Sequence, residues 1–405
     1  MSDKELPPAR MIATLKELES FAKELKNEKS IAVDIESDGF YVYHEKVCLV
    51  QLTTSRGDFI VDPLAVKDMS PLGPMFRNAK IQKLFHAGEY DIVCLKRDFG
   101  FTIKNIFDTM VASRILGEDR LGLARLIEKH FQVKISKKLQ RANWGKRPLT
   151  PEQCKYARLD THYLHALRDI LTAELEARGL LQDAIDAFAH QELAEPQERK
   201  FSPDDFWHIH GARELPAQKR AVLRALYLFR EKKSAALDRA PFRVLSEQLL
   251  VIIAEKCPKT LDALRDMRGM TPYLFNHFGK DLHKNITAGL ASPPIEKPPE
   301  RNHKNRWDSD TMRRYEALRA WRKQLAAERG VNPVVILATD ELREVSQAPK
   351  KNPSADHWLD GLSEHKQLTY GKALLEVLNR PIPVNKGRRR RRRSKRQDAK
   401  KPADE

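Results

Sequence analysis

Five polar side chains in the first 160 residues have the types and spacing that phosphoryl chemistry requires. They are four carboxylates and one phenol, distributed over three short segments: Asp34, Glu36, Asp91, Tyr156 and Asp160. Carboxylate oxygens are the ligands that Mg²⁺ and Mn²⁺ prefer. Two such ions flanking an in-line displacement at phosphorus are a common arrangement in nucleases. The set therefore predicts hydrolysis of a phosphodiester, provided that the fold brings the five groups together.

The first segment, Ser30 to Glu36, reads as a β-strand. Its side chains alternate between two faces, so Asp34 and Glu36 share one face while three aliphatic residues occupy the other. Carboxylates at such close range raise each other's pKa unless a cation compensates them. An amphipathic edge strand with a solvated face is the alternative, because an Asp-x-Glu pattern alone is common.

The third segment predicts a helix from Pro151 to about Ala177. Thr150 can cap its N-terminus, and proline fits the first helical position. Tyr156 and Asp160 lie four residues apart and therefore share one face. A phenol one turn before a metal-binding carboxylate can hold an attacking water and help to remove its proton. A core aromatic beside a surface acid is the alternative reading of this pair.

The three segments together resemble a known superfamily. Asp-x-Glu ending an early apolar strand, then His-Ala-x-x-x-Asp, then Tyr-x-x-x-Asp, match the motifs of DEDD 3′–5′ exonucleases of the tyrosine subgroup. The stretch from Arg147 to Leu164 is similar to ribonuclease D. The resemblance implies an RNase H-like α/β exonuclease domain, with a mixed sheet flanked by helices. It also implies a water-positioning tyrosine and ligands for two divalent metal ions, Mg²⁺ or Mn²⁺: Tyr156, with Asp34, Glu36, Asp91 and Asp160. In the second motif Tyr90 directly precedes the aspartate, which leaves the substrate preference open.

Further segments of the first 165 residues predict the elements that position these groups. A helix at about 11–28 precedes the first strand, and short β-rich runs follow at 47–54, 58–62 and 83–87. Helices are expected around Asp91, at 108–116 and at 121–131. Antiparallel strands followed by strands that alternate with helices predict one mixed α/β domain. After residue 165 we expect helices only.

Composition limits the class of protein. The 405 residues, 41% of them hydrophobic, allow two or three domains with ordinary cores. With no apolar stretch of eighteen residues and no signal-like start, we expect a cytoplasmic protein with no membrane partner. A zinc site is not expected, because His208 and His210 have no nearby cysteine. Four widely spaced cysteines are expected to be reduced, buried thiols: Cys48, Cys94, Cys154 and Cys257.

Charge is distributed unevenly along the chain. Residues 1–195 contain 29 basic and 29 acidic side chains, so their net charge is zero. The formal charge of +17 comes from +9 in residues 196–385 and +8 in residues 386–405. A polyanionic substrate should therefore be held mainly by the second half of the chain.

The second half contains two similar helical blocks, at 215–290 and 311–380. Each runs from a leucine-rich basic helix, through a proline-containing connection, to a second helix and an aromatic-Gly-Lys triplet. The pattern resembles the HRDC domain and implies nucleic-acid binding. The second block matches less well, because a polar loop at 350–356 interrupts it. Several aromatic residues could stack on bases, but their spacing favours core packing: Tyr227, Phe229, Tyr273, Phe275, Phe278, Trp321 and Trp358.

The last twenty residues are strongly basic. Such a composition predicts a disordered tail, which we interpret as a tether that grips phosphates. A non-specific tail, or a localisation signal in a nucleated cell, is the alternative. The tail contains six consecutive arginines as candidate nucleic-acid contacts: Arg388, Arg389, Arg390, Arg391, Arg392 and Arg393.

The complete reading is a DEDD exonuclease domain at 1–195, two all-α HRDC-like domains at 211–291 and 307–382, and the tail at 386–405. It predicts a 3′–5′ exoribonuclease that uses two divalent metals to release 5′-mononucleotides from RNA with a single-stranded 3′ end. The ribonuclease D resemblance implies tRNA precursors as substrates, and no obligate protein partner is evident. A DNA-directed 3′–5′ exonuclease of the same superfamily and a non-catalytic RNA-binding adaptor are the alternatives.

Overall fold

A computed structural model describes residues 7–197, 201–296, 307–351 and 354–379. The chain divides into two compact units, Met1–Arg306 and Trp307–Glu405. The predicted basic tail with its six arginines lies outside the described residues. Within the described ranges, no helix combines the length and the apolar character that crossing a membrane requires.

A mixed sheet forms the centre of the first unit. Its strands are β1 (Arg10–Ile12), β2 (Ser30–Ser37), β3 (Val47–Thr54), β4 (Gly57–Val61), β5 (Gln82–Phe85) and β6 (Ile106–Asp108). Their order is β1-β4-β3-β2-β5-β6. The pairs β2–β3 and β3–β4 are antiparallel, whereas β1–β4, β2–β5 and β5–β6 are parallel. Every residue of β3 is buried, as expected for an apolar strand near the middle of a sheet covered on both faces.

Helices flank this sheet and confirm the expected α/β exonuclease fold. Those of the nuclease domain are α1 (Leu15–Leu25), α2 (Pro63–Val66), α3 (Gly73–Arg77), α4 (Glu89–Phe99), α5 (Thr109–Ile115), α6 (Leu123–Phe131), α7 (Pro151–His162), α8 (Leu164–Ala177) and α9 (Leu181–Gln191). Helix α7 packs on β2, β3 and β4, while α8 packs on β2 and β5.

The structure differs from the sequence prediction in three places of this domain. The helix expected at 11–28 begins only at Leu15, because Arg10–Ile12 pair with β4 as an edge strand and Ile12 is fully buried there. The helix expected at 151–177 is two helices that meet at Tyr163. Strand β6 was not expected, and Asp108 is its last residue and the N-cap of α5.

The rest of the described chain is helical, as expected. The first unit continues with α10 (Ala217–Ala236), α11 (Pro241–Val244), α12 (Glu247–Lys256), α13 (Leu261–Arg265) and α14 (Pro272–Ala291). Tyr227, Phe229 and Phe278 are buried in one core, so core packing is confirmed for them. Tyr273 differs, because it is 49% exposed.

The second unit repeats this plan with fewer helices among its described residues. They are α15 (Ser309–Arg329), α16 (Pro333–Ile336), α17 (Thr339–Lys351) and α18 (Glu364–Asn379). Short helices with proline at the first position, α11 and α16, follow the long basic helix in both units. The polar interruption starts later than predicted, because α17 continues through Pro349 to Lys351.

Candidate active site

Strand β2 and helix α7 bring three of the predicted carboxylates together. Asp34 and Glu36 project from the same face of β2, and Asp160 lies in the last turns of α7. One oxygen of each carboxylate lies within 4.8 Å of the other two. Residues 126 positions apart in the chain therefore converge on one point. Strand β2 also lies inside the sheet, so the alternative of a solvated edge strand is wrong.

Contacts at the two ends of α7 define the start of that helix and hold it against the sheet. Thr150 and Gln153 form a reciprocal capping box at its N-terminus. Near its C-terminus, the Thr161 hydroxyl is 2.8 Å from that of Thr53 on β3. His162 Nδ1 lies 2.8 Å from a carboxylate oxygen of Asp58 on β4. These contacts fix the rotation of α7 about its axis, so that Asp160 faces β2.

Asp91 approaches the cluster from the first turn of α4 and is buried. Asp108 positions the loop before this helix, because its carboxylate accepts hydrogen bonds from the backbone N–H groups of Ala87 (3.1 Å) and Gly88 (2.8 Å). A Cβ at Gly88 would lie 2.5 Å from Cβ of Phe85, so only glycine fits this turn. Asp91 interacts electrostatically with Asp34 and Asp160, but it is not one of the three whose oxygens meet within 4.8 Å.

The carboxylates repel one another in a poorly solvated site. Burial raises the pKa of Asp34 to about 7. Burial, followed by repulsion from Asp34, Asp160 and Asp91, raises the pKa of Glu36 to about 10. The pKa values of Asp91 and Asp160 are also raised well above the ordinary value, again chiefly by burial and then by neighbouring carboxylates. Each of these groups would be stabilised as an anion by a nearby cation.

Tyr156 lies beside the acids and is half-buried. Burial raises its pKa, with further contributions from Asp160, Glu36 and Asp34, so the phenol is close to all three. Its ring centroid is 5.9 Å from that of Trp144, a fully buried residue. The ring of Tyr156 thus packs against a small apolar cluster, and the side chain also lies close enough to the three carboxylates to interact with them electrostatically. Tyr156 is therefore both a packed aromatic and a residue of the site.

The donor set fits hard divalent cations. It consists of carboxylate oxygens alone, the ligand type that Mg²⁺ and Mn²⁺ prefer. Burial and mutual repulsion raise the pKa values of all four carboxyl groups, so a divalent cation would favour their ionised, metal-binding form. Asp34, Glu36 and Asp160, with Asp91 beside them, are the residues that could hold such ions.

Sequence reasoning missed Gln51. It lies directly opposite Asp34 in the β2–β3 pairing and so shares its face. Gln51 is fully buried, and neither its amide nitrogen nor its amide oxygen has a hydrogen-bond partner within the described part of the chain. A polar amide in the middle of an apolar strand was the available signal. The strand pairing places Gln51 next to Asp34, on the side of the sheet that carries the acidic cluster.

Comparisons with known proteins agree with this geometry. A family model described as 3′–5′ exonuclease matches residues 9–176, and the HRDC domain model matches residues 219–286 and 312–378. The chain belongs to the ribonuclease D-like family of 3′–5′ exonucleases. The acidic cluster and Tyr156 lie within the residues that match the exonuclease model, and both helical regions match the HRDC domain.

Individual relatives within the family are large proteins. The exosome complex exonuclease RRP6 of Saccharomyces cerevisiae is 34% identical over 263 residues, which are 61% of this chain and 36% of the yeast protein. Human exosome complex component 10 is 31% identical, over 71% of this chain and 34% of its own length. The chain thus spans about a third to a half of the curated relatives that it matches.

Solved structures show the same fold. The catalytic core of RRP6 from Trypanosoma brucei matches with a TM-score of 0.65 and 29% identity, covering 70% of this chain and 80% of that core. Escherichia coli RNase D matches with a TM-score of 0.61 and 24% identity, covering 91% of this chain and 98% of the bacterial enzyme.

Proposed function

We propose that this chain is a metal-dependent 3′–5′ exoribonuclease. The observation that carries the proposal is the convergence of Asp34, Glu36 and Asp160 within 4.8 Å, beside Asp91 and Tyr156. Divalent ions held there would supply positive charge that stabilises the reacting phosphoryl group and makes water a better nucleophile. The reaction would be hydrolysis, with 5′-mononucleotides as products.

The protein groups have separate tasks in this proposal. Asp34, Glu36, Asp91 and Asp160 are the ligands of two ions, Mg²⁺ or Mn²⁺. Tyr156 holds the attacking water through its hydroxyl group, which lies beside Asp160 on the same helical face. Asp108 and Asp58 position α4 and α7 through their contacts with the loop before α4 and with His162.

RNA with a single-stranded 3′ end is the proposed substrate, with tRNA precursors as its physiological form. The HRDC domains and the basic excess of residues 196–405 support a nucleic-acid ligand. The similarity to an exosome exonuclease supports RNA over DNA. The four cysteines are free thiols, two buried and two half-buried, which supports a cytosolic location.

A time course with matched oligonucleotides tests this function. Purified protein is incubated with 3′-extended tRNA precursor, single-stranded RNA and single-stranded DNA, each with Mg²⁺, Mn²⁺ or a chelator. We expect 5′-mononucleotides from RNA, only with metal, and none from RNA whose 3′ hydroxyl is blocked. Preferential digestion of DNA would support the DNA-directed alternative. Tight RNA binding without any nucleotide release would support the adaptor.

A further inference from the structure

A groove of about 830 Å³ leads away from the acidic cluster. Glu36 and Trp144 of the nuclease domain line it, together with residues of the first helical region (α10–α14), among them Phe242. Both sides belong to the first unit of the chain. The groove is therefore built from two domains and connects directly with the site proposed for phosphodiester hydrolysis.

Two aromatic rings in this groove are largely uncovered. Phe40, from the β2–β3 connection, is 48% exposed, and Phe242, from α11, is 52% exposed. Each ring has a guanidinium group nearby: Arg141 lies 5.6 Å from the ring centroid of Phe40, and Arg243 lies 5.7 Å from that of Phe242. Neither arginine forms an ion pair with a described residue, so both can receive a phosphate.

Hydrogen bonds hold the two sides of the groove together. Arg243 donates to the backbone carbonyl of Phe40 and stacks on Tyr41, with 3.8 Å between its guanidinium carbon and the ring centroid. The backbone N–H of Ala240 donates to the carbonyl of Tyr41 at 3.2 Å. Asp238 accepts a hydrogen bond of 3.1 Å from the N–H of Tyr43. Phe40 and Phe242 are thus presented by one continuous, fixed surface.

The two carboxylates that line the groove outside the site, Glu45 and Glu247, have neighbouring donors or cations. Glu45 accepts hydrogen bonds from Ser37, Tyr90 and Arg97. Glu247 lies 4.0 Å from the guanidinium of Arg230. Arg141, which lines the groove, and Arg243, which lies beside Phe242, form no ion pair with a described residue. Rings alternating with free cations suit a single-stranded nucleic acid, whose bases stack and whose phosphates pair with cations.

We infer that this groove is a binding subsite for unpaired nucleotides immediately upstream of the scissile 3′ phosphodiester. Phe40 and Phe242 stack on bases, and Arg141 and Arg243 hold the adjoining phosphates. The inference rests on the proposed function, because it orients the strand by placing its 3′ end at Glu36. It assigns the first HRDC domain a direct part in holding the reacting end of the RNA.

Length-dependent kinetics test the subsite. Phe40→Ala and Phe242→Ala are compared with wild type on single-stranded RNAs of increasing length, from two to about twelve nucleotides. Since stacking on an aromatic side chain contributes about 1–3 kcal/mol per base, we expect KM for the longer RNAs to rise by about 5- to 100-fold. The ratio of variant to wild-type KM should grow with RNA length. Tyr273→Ala is the control, because Tyr273 is equally exposed in the same helical region but lies outside the groove.

An abasic scan separates this inference from the proposed function. One base at a time is removed from the upstream nucleotides, and wild type should lose affinity at one or two positions. That loss should disappear in Phe40→Ala and Phe242→Ala, since the ring on which the base would stack is already absent. Phe242→Leu, which keeps apolar volume without a ring, replaces Phe242→Ala if the latter unfolds. Active variants with unchanged KM at every length would overturn the subsite alone, whereas a wild type inactive on every RNA would overturn the proposed function.

Discussion

The nuclease domain and the helical regions after it handle charge in opposite ways. Residues 1–195 have no net charge, yet three acids of this domain meet at one poorly solvated point with a fourth, Asp91, beside them. Residues 196–385 have a net charge of +9, and the basic side chains among their described residues are spread over several helices. One region concentrates charge of one sign, and the other distributes charge of the opposite sign.

The difference separates chemistry from affinity. Buried like charges are costly, and they become useful only when cations or a transition state compensate them. Surface cations cost little and add affinity for a polyanion, which falls as salt rises. Net charge therefore indicates where a substrate is held but not where it reacts. Variants in the nuclease domain should alter kcat, and variants in the basic regions should alter KM and salt dependence.

Removing one charge from the acidic cluster should have the largest effect. We expect Asp34→Asn to lower kcat by at least about 10³-fold, because a ligand charge that stabilises the reacting site is lost. RNA binding should change little, since the distributed cations remain. Single-turnover hydrolysis and equilibrium binding measure the two effects. Near-wild-type turnover in this variant would refute the site assignment.

The same variant should be more stable than wild type in metal-free buffer. Replacing Asp34 relieves repulsion of Glu36, which we expect to raise Tm by roughly 2–4 °C, equivalent to about 1 kcal/mol. Added Mg²⁺ or Mn²⁺ should raise the Tm of wild type more than that of the variant. Asp169→Asn is the matched control, because Asp169 is an exposed acid outside the cluster.

Tyr156→Phe sharpens the comparison within the nuclease domain. The ring packing on Trp144 is kept while the hydroxyl is removed, so we expect kcat to fall about 10²-fold with little change in KM. The increase in Tm on adding metal should stay as in wild type, because the carboxylates are intact. A loss of that increase would show that Tyr156 acts by shaping the metal site rather than by holding water.

Deletion of residues 386–405 tests the distributed charge. The segment contains 11 basic and 3 acidic residues, so its loss should raise KM for RNA several-fold and flatten the dependence of log KM on log salt. We expect kcat to stay within about twofold, since no ligand is removed. Replacing the six arginines with lysines is the control and should keep the salt slope. An unchanged slope after deletion would exclude a phosphate-gripping role.

Lys83 is a buried cation within the neutral nuclease domain, and its expected effect is on stability rather than on turnover or RNA binding. Its ammonium donates to the carbonyls of Asn78 (2.8 Å) and Ile81 (2.6 Å), but burial lowers its pKa to about 8. The unfolded chain therefore binds more protons than the folded one between about pH 8 and 10.5, and stability attributable to Lys83 rises with pH across that range.

Comparison with Lys83→Met isolates this contribution. From about pH 7.5 to about pH 9.5, the free energy of unfolding of wild type should gain about 2 kcal/mol relative to the variant. Lys80→Met, at an exposed position, should show no such difference. If the free energies of unfolding of wild type and Lys83→Met depend on pH in the same way, burial does not lower the pKa of Lys83.

Local signals predicted most elements of the nuclease domain. The alternation of apolar and polar side chains around Asp34 predicted strand β2. Thr150 as N-cap and Pro151 at the first position predicted where α7 begins. Errors arose where tertiary contacts overrode local preference. Arg10–Ile12 form a strand because β4 offers an edge, and β6 forms because β5 pairs with it in register. Three residues are too few to show either strand by periodicity.

The sequence by itself determined which groups are available: the acids, the tyrosine one turn before Asp160, the repeated helical pattern and the position of the basic excess. Only the tertiary structure decided that β2, α4 and α7 bring these acids to one point, and that Phe40 and Phe242 line one groove. The physical reason is that spacing along a strand or helix follows from backbone geometry, whereas distances between elements depend on packing. Here they depend on contacts such as Asp58 with His162 and Arg243 with Phe40, which no local pattern encodes.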